Sequence, residues 1–213
     1  MVTWRDGPVP AAALSESPMT PEESQVLRSL VDLTALPRLS RDVAERIIWA
    51  TGDVSYATDL VCAEPALEAA VSALAAGAPV VADVPMVAAG ITGFPVICKA
   101  HEPLTQRLAR TASIPVGAAA VRLAFGEVGP GAVWVVGSEP VTIYEILARG
   151  TEPVLVIGVP AGFVAAAEAK KALRGSGLAA LTNVSEKGGP VVAVAACLGL
   201  LQELRALAST QTR

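Results

Sequence analysis

The sequence predicts an α/β fold: a mainly parallel, five-stranded sheet with helices on both faces. Three observations carry this. From residue 79 onward, five short apolar runs alternate with segments of helical periodicity, the alternation that builds parallel sheets. The runs are apolar at consecutive positions rather than at every second one, as strands buried on both faces require. Pro and Gly fall at the joints between runs and helical segments, where chain reversals need them.

The elements follow in order. The first twenty residues, rich in Pro, Ser and Ala, read as a loose lead-in, leaving a single α/β domain over 21–213. Thr20-Pro21-Glu22-Glu23 reads as a helix start, with Thr20 as N-cap, Pro21 at N1 and Glu23 at N3. A second helix is expected to follow Ser40 (SRDVAERIIWATG) and to end at Gly52. A third covers 64–77, with Leu67, Val71 and Leu74 on one face. The strand runs are PVVAD (79–83), PVIC (95–98), AVWVVG (132–137), PVLVIG (153–158) and LAALTNV (178–184). Helices are expected between them at 102–111, 116–125, 140–149 and 163–173, and a last one over 190–208. Ligands of such sheets sit beyond the carboxyl ends of the strands. Asp83, the loop after Cys98, Gly137-Ser138, Gly158-Val159 and the 185–189 loop are therefore placed near a site.

Composition narrows the class. A chain of 213 residues can bury one full core. It is 53% hydrophobic but only 4% aromatic, with a mean hydropathy of +0.53, so Ala, Val and Leu supply most of the apolar surface. The longest apolar stretch (153–167) is broken by Gly158, Pro160 and Gly162 and falls short of the roughly 18–20 residues that cross a bilayer. The N-terminus has no basic start followed by an apolar core. A cytoplasmic protein without membrane attachment is expected. The net charge of −4, with no basic block, argues against nucleic acid as a partner. Cys62, Cys98 and Cys197 form no CxxC pair, and the lone His101 completes no zinc pattern with them. No metal is expected, and the thiols read as buried and free. The apolar surplus points to a homo-oligomer.

The common catalytic motifs are missing from the sequence. No GxGxxG follows a strand, and Lys187-Gly188-Gly189 has the elements of a phosphate loop in another order. No GxSxG elbow occurs, and a Ser–His–acid triad would have to use His101.

One segment, VIGVPAGFVAAAEAKKAL (156–173), resembles a signature of the precorrin isomerases, also called precorrin-8X methylmutases. Four more stretches agree with that family in order and spacing: AGAPVVADVPMVAAGI (76–91), VICKAHEP (96–103), VVGSEP (135–140) and KGGPVVAVAA (187–196). The resemblance runs from about Glu22 to Leu201. It implies a homodimeric, precorrin isomerase-like fold with a tetrapyrrole site near the dimer interface. It also implies migration of a methyl group between adjacent ring carbons of precorrin-8X, with no cofactor consumed. A histidine late in the second helix supplies the proton in that family, and its near-neutral pKa suits the task.

This sequence aligns Trp49 at the histidine's position (AERIIWATG) and retains Arg46, which aligns with a substrate-contacting arginine. Other polar positions of the family become Pro115-Val116-Gly117, Ser138-Glu139-Pro140-Val141, Pro190 and Leu198. The substrate-binding set implied by the resemblance is Arg46, Trp49, Asp83, Gly162, Lys187, Gly188 and Gly189. Each has a plainer reading: helix-face packing for Trp49, an ion pair for Arg46, tight turns for the glycines. Glu168 and Lys170 are placed so that one points inward and the other out. The bound ligand is expected to be a precorrin or a hydrogenobyrinic acid-like tetrapyrrole. One reading is a divergent isomerase that takes its proton from His101 or a bound water. Another is a non-catalytic tetrapyrrole carrier or partner of an active isomerase, and a third an unrelated small-molecule binder on the same scaffold.

Overall fold

The computed structural model describes residues 20–211. The lead-in expected over 1–20 therefore lies, except for Thr20, outside the described residues.

Helix α1 (Pro21–Leu30) begins with the expected capping box: Thr20 Oγ1 accepts from the Glu23 N–H at 3.2 Å, and the Thr20 N–H donates to Glu23 Oε2 at 2.7 Å. Helix α2 (Arg38–Thr51) starts two residues before Ser40 and closes on Gly52 in a left-handed conformation. Its N-terminus is capped from a distance. The Glu64 carboxylate accepts from the Leu39 and Ser40 N–H groups at 2.7 and 2.9 Å and from the Ser40 hydroxyl at 2.7 Å. Burial pushes the Glu64 carboxyl up, but these bonds outweigh it and hold it below its ordinary value. The cap lies 24 residues away, so nothing local to Ser40 reveals it.

The sheet has six strands rather than five, in the order β1-β6-β5-β4-β2-β3. All five expected runs are present, as β2 (Val80–Ala82), β3 (Val96–Ile97), β4 (Val133–Val136), β5 (Leu155–Gly158) and β6 (Ala180–Asn183), and they pair in parallel. The added strand, β1 (Leu60–Cys62), lies antiparallel to β6 at the edge, with Leu60 opposite Asn183. Three residues are too few to show a period. Two short helices, α3 (Tyr56–Asp59) and α5 (Pro85–Gly90), were likewise not expected.

Helices cover both faces. On one side lie α1, α2, α4 (Glu64–Ala75), α5 and α10 (Pro190–Gln211), around Ile47, Leu67, Val135, Ile157 and Leu200. On the other lie α7 (Val116–Val128), α8 (Pro140–Arg149) and α9 (Ala166–Arg174), around Val121, Trp134, Ile143 and Leu173, with α6 (Pro103–Ala112) packed on α7. Strand β4 shows the logic residue by residue: Val133 and Val135 face the first core, Trp134 and Val136 the second, and all four are buried. Helix α9 begins at Ala166, not at 163, and leaves Phe163 and Val164 in an exposed turn. Of the three free thiols only Cys197 is buried, its pKa pushed by burial to about 12; Cys62 and Cys98 are half-buried. Among the described residues no single helix is long and apolar enough to cross a membrane.

Candidate functional site

The carboxyl ends of β4, β5 and β6 open into loops that brace one another. The Gly162 N–H donates to Glu186 O at 3.0 Å, and the Gly189 N–H donates to Val159 O at 2.7 Å. Gly188 sits between these bonds with φ +146°, and a Cβ there would lie 2.1 Å from Val159 O. Only glycine fits. The β5–α9 and β6–α10 loops thus form one close-packed unit.

Lys170 holds that unit from beneath. Its side chain has no exposure, and its Nζ donates to Asn183 Oδ1 at 3.0 Å, Ser185 O at 2.5 Å and Lys187 O at 2.7 Å. Three acceptors match the three N–H bonds of an ammonium. Burial nevertheless lowers its pKa to about 8. Glu168, two residues before it, is exposed; of the pair, Lys170 points inward.

The same loop is tied to the end of α2. Lys187 Nζ lies 2.8 Å from Asp53 Oδ2, bonds the Ser55 hydroxyl, and stands 4.4 Å from the centre of the Tyr56 ring. Lys187 and Ser55 hold the Asp53 carboxyl down at about 2. Asp59 completes the tie by accepting from Asn183 Nδ2 at 2.9 Å, the Ser185 N–H at 2.8 Å and the Ser185 hydroxyl at 2.6 Å. Burial raises the Asp59 carboxyl, but these bonds prevail and keep it below its ordinary value. Ser185 opens the 185–189 loop expected near the site, whereas Asp53, Asp59 and Asn183 were not singled out. The local sign of Asp53 and Asp59 was the polar cluster just after the helix-ending Gly52.

Asp83, expected as a ligand contact at the strand end, braces a turn in the structure. Its side chain is buried, and Oδ2 accepts the N–H groups of Gly137 (3.1 Å), Ser138 (2.7 Å) and Glu139 (3.2 Å). It fixes the β4–α8 turn from inside. Burial pushes its carboxyl up, against the pull of those three donors.

Trp49 and Arg46 lie on the outer side of α2. Trp49 is 46% exposed and four residues before Asp53, about one helical turn from the Lys187 contact. Arg46 is half-buried and donates to Gln202 Oε1 of α10 at 3.1 Å. His101 is exposed in the loop after the edge strand β3. Four strand spacings separate it from β6, roughly 19 Å at about 4.8 Å each. The strand-end loops thus gather Lys187, Gly188, Gly189 and Gly162, while Trp49 and Arg46 lie on α2 and His101 follows the edge strand β3. Large apolar side chains are exposed at this edge: Met86 after β2, Phe163 (93%) and Val164 (85%) after β5, and Val191 in the first turn of α10. Among the described residues no group of three His, Cys, Asp or Glu side chains could hold a metal.

The precorrin-8X methylmutase (CbiC) family model matches residues 19–203. The chain belongs to the precorrin-8X methylmutase family, which acts in cobalamin biosynthesis. It is 34% identical over 163 residues to the cobalt-precorrin-8 methylmutase of Methanocaldococcus jannaschii, covering 75% of this chain and 77% of the relative. It is 35% identical over 158 residues to a precorrin-8X methylmutase of Sinorhizobium sp, covering 70% and 75%. The solved precorrin-8X methyl mutase of Thermus thermophilus superposes with a TM-score of 0.79 at 28% identity, covering 87% of this chain and 94% of that one. The parallel sheet and its helical layers are those of a precorrin-8X methylmutase.

Proposed function

We propose that the chain binds a precorrin-8X- or hydrogenobyrinic acid-like tetrapyrrole and moves its methyl group slowly or not at all. One observation carries the reading. Position 49, where the family resemblance puts the proton-donating histidine, is a half-exposed Trp in the last turn of α2. An indole N–H donates a hydrogen bond but does not release its proton near neutral pH. On this reading the reaction lacks its acid, while the loops at the ends of β5 and β6 still form one braced unit.

Binding is better supported than turnover. The apolar edge of Met86, Phe163, Val164 and Val191 suits the faces of a macrocycle. Arg46 supplies positive charge for its carboxylates, whereas Lys187 is already paired with Asp53. His101 follows β3, next to the β2 end that carries Met86 but four strands from the loops at β6, which argues against it as acid for a ligand held at β6; a water held over the loops is the other route to residual turnover. The same exposed edge supports a homodimer with α2 near the shared cleft. Sedimentation at micromolar concentration is expected to give twice the chain mass, and a monomer would count against it.

The experiment is incubation of the purified protein with precorrin-8X, followed by absorption spectroscopy. Perturbed but unconverted substrate is the expected result. Rapid appearance of the hydrogenobyrinic acid spectrum would overturn the reading.

A further inference from the structure

Among the described residues five buried side-chain polar atoms lack a hydrogen-bond partner, and three of them belong to residues that line one cavity. They are Asp83 Oδ1, Trp134 Nε1 and Thr142 Oγ1, and the cavity lies between the end of β2, the middle of β4 and the first turn of α8. The three residues are 6%, 2% and 1% exposed. An unpaired polar group in a low dielectric is costly, and buried ones are paired in folded proteins as a rule. Three in one cavity, from three elements, call for a shared partner.

Chemistry and size choose it. The indole N–H is a donor only, so it repels a cation. A carboxylate oxygen is an acceptor and repels an anion. The partner must be neutral and must both give and accept hydrogen bonds. The space open to it is about 10 Å³, at the lower edge of the roughly 10–15 Å³ that admits one water and nothing larger. Most of the remaining wall is apolar, including Val81, Val121 and Ala124. The charged Lys99 is already committed to Glu102 at 2.8 Å and Glu127 at 2.5 Å. Gly117 contributes no side chain; a Cβ there would overlap Glu139 Oε2 and lie 3.0 Å from Thr142 Oγ1, so a second carboxylate stands on the Thr142 side of the cavity.

We propose that this cavity is a binding site for a single buried water molecule, which accepts the Trp134 indole N–H and donates to Asp83 Oδ1 and Thr142 Oγ1. The water makes Asp83 a two-sided brace. Oδ2 holds the three N–H groups of the β4–α8 turn, while Oδ1 reaches β4 and α8 through the water. The turn beside the candidate site is thereby fixed from behind, whatever ligand the site takes.

A crystal structure of the wild-type protein at about 2 Å tests this directly. A single density peak is expected at hydrogen-bonding distance, about 2.7–3.2 Å, from all three atoms. A featureless cavity, a peak with the contacts of an ion, or rotation of Trp134 or Thr142 onto protein partners would overturn it. In solution the Trp134 indole proton is expected to show a cross-relaxation peak to a long-lived bound water. Trp134→Phe assigns that proton; if this variant does not fold, Trp4→Phe and Trp49→Phe assign it by elimination. An indole proton with no such peak would also overturn the proposal.

Discussion

Lys187 and Asp53 meet at 2.8 Å across 134 positions of sequence, and their contact makes the end of α2 and the Lys-Gly-Gly loop one unit. The Asp53 carboxyl, held at about 2 against an ordinary 3.8, contributes stability that is present above pH 3.8 and lost as pH falls through about 2. Both side chains are more than a third exposed, so solvent screens the pair and its worth is small. Lys187→Ala is expected to return the Asp53 titration, read from side-chain carboxyl NMR, toward its ordinary midpoint. The urea midpoint should barely move at pH 7. Tetrapyrrole binding should weaken more than stability does, because the loop loses its tie to α2.

Lys170 behaves oppositely. Its folded pKa of about 8 lies below the ordinary 10.5, so the charged form is disfavoured in the fold. That penalty is complete below pH 8 and is relieved as pH rises toward 10.5, where the unfolded chain binds more protons than the folded one. Lys170→Met removes the penalty but orphans the oxygens of Asn183, Ser185 and Lys187. The expected net loss is about 2–4 kcal/mol at pH 7. The gap in urea midpoint between wild type and variant should widen between pH 8 and 10.

Two glycines separate the effects of strain and propensity. Gly188→Ala would drive a Cβ to 2.1 Å from Val159 O at a φ of +146°, and a loss of at least about 3 kcal/mol is expected. Gly126 lies exposed within α7 with nothing near its missing Cβ. Gly126→Ala should stabilise by about 0.5–1 kcal/mol. Thermal melts of the two variants check both signs.

These residues also show how far the sequence could be read. The five parallel strands were legible because β2, β4 and β5 are short and apolar throughout, and Thr20 to Glu23 spells out its cap locally. Strand β1 was not legible, because Leu60–Cys62 owes its conformation to pairing with β6. The start of α2 was misplaced because its cap is the carboxylate of Glu64. At the site the Lys-Gly-Gly loop stood out from its glycines and its family resemblance. The carboxylates that anchor it did not, since Asp53 and Asp59 gain meaning only when folding brings them to Lys187 and Ser185. Asp83 was singled out correctly as a strand-end residue, but its inward direction depends on the β4–α8 turn.

The last prediction concerns the chemistry at position 49. A positioned general acid contributes roughly 10²–10⁴-fold to rate, and on the proposed reading Trp49 forgoes this. Its side chain is 46% exposed on the outer side of α2, so Trp49→His removes little packing and should leave the thermal midpoint within a few degrees. The variant is expected to raise methyl migration on precorrin-8X by at least tenfold over wild type, with a pH profile that falls above the imidazole pKa. Full recovery is not expected on the proposed reading, in which Pro115, Pro190 and Leu198 take the places of polar side chains of the family. His101→Ala should leave the residual rate unchanged, since roughly 19 Å of sheet separates it from the loops at β6. If wild type turns over efficiently and His101→Ala abolishes it, the histidine reaches the substrate after all and the assignment of the acid moves to the β3 edge. If Trp49→His binds the tetrapyrrole but gains no activity, the lost polar contacts, not the missing proton, limit the reaction.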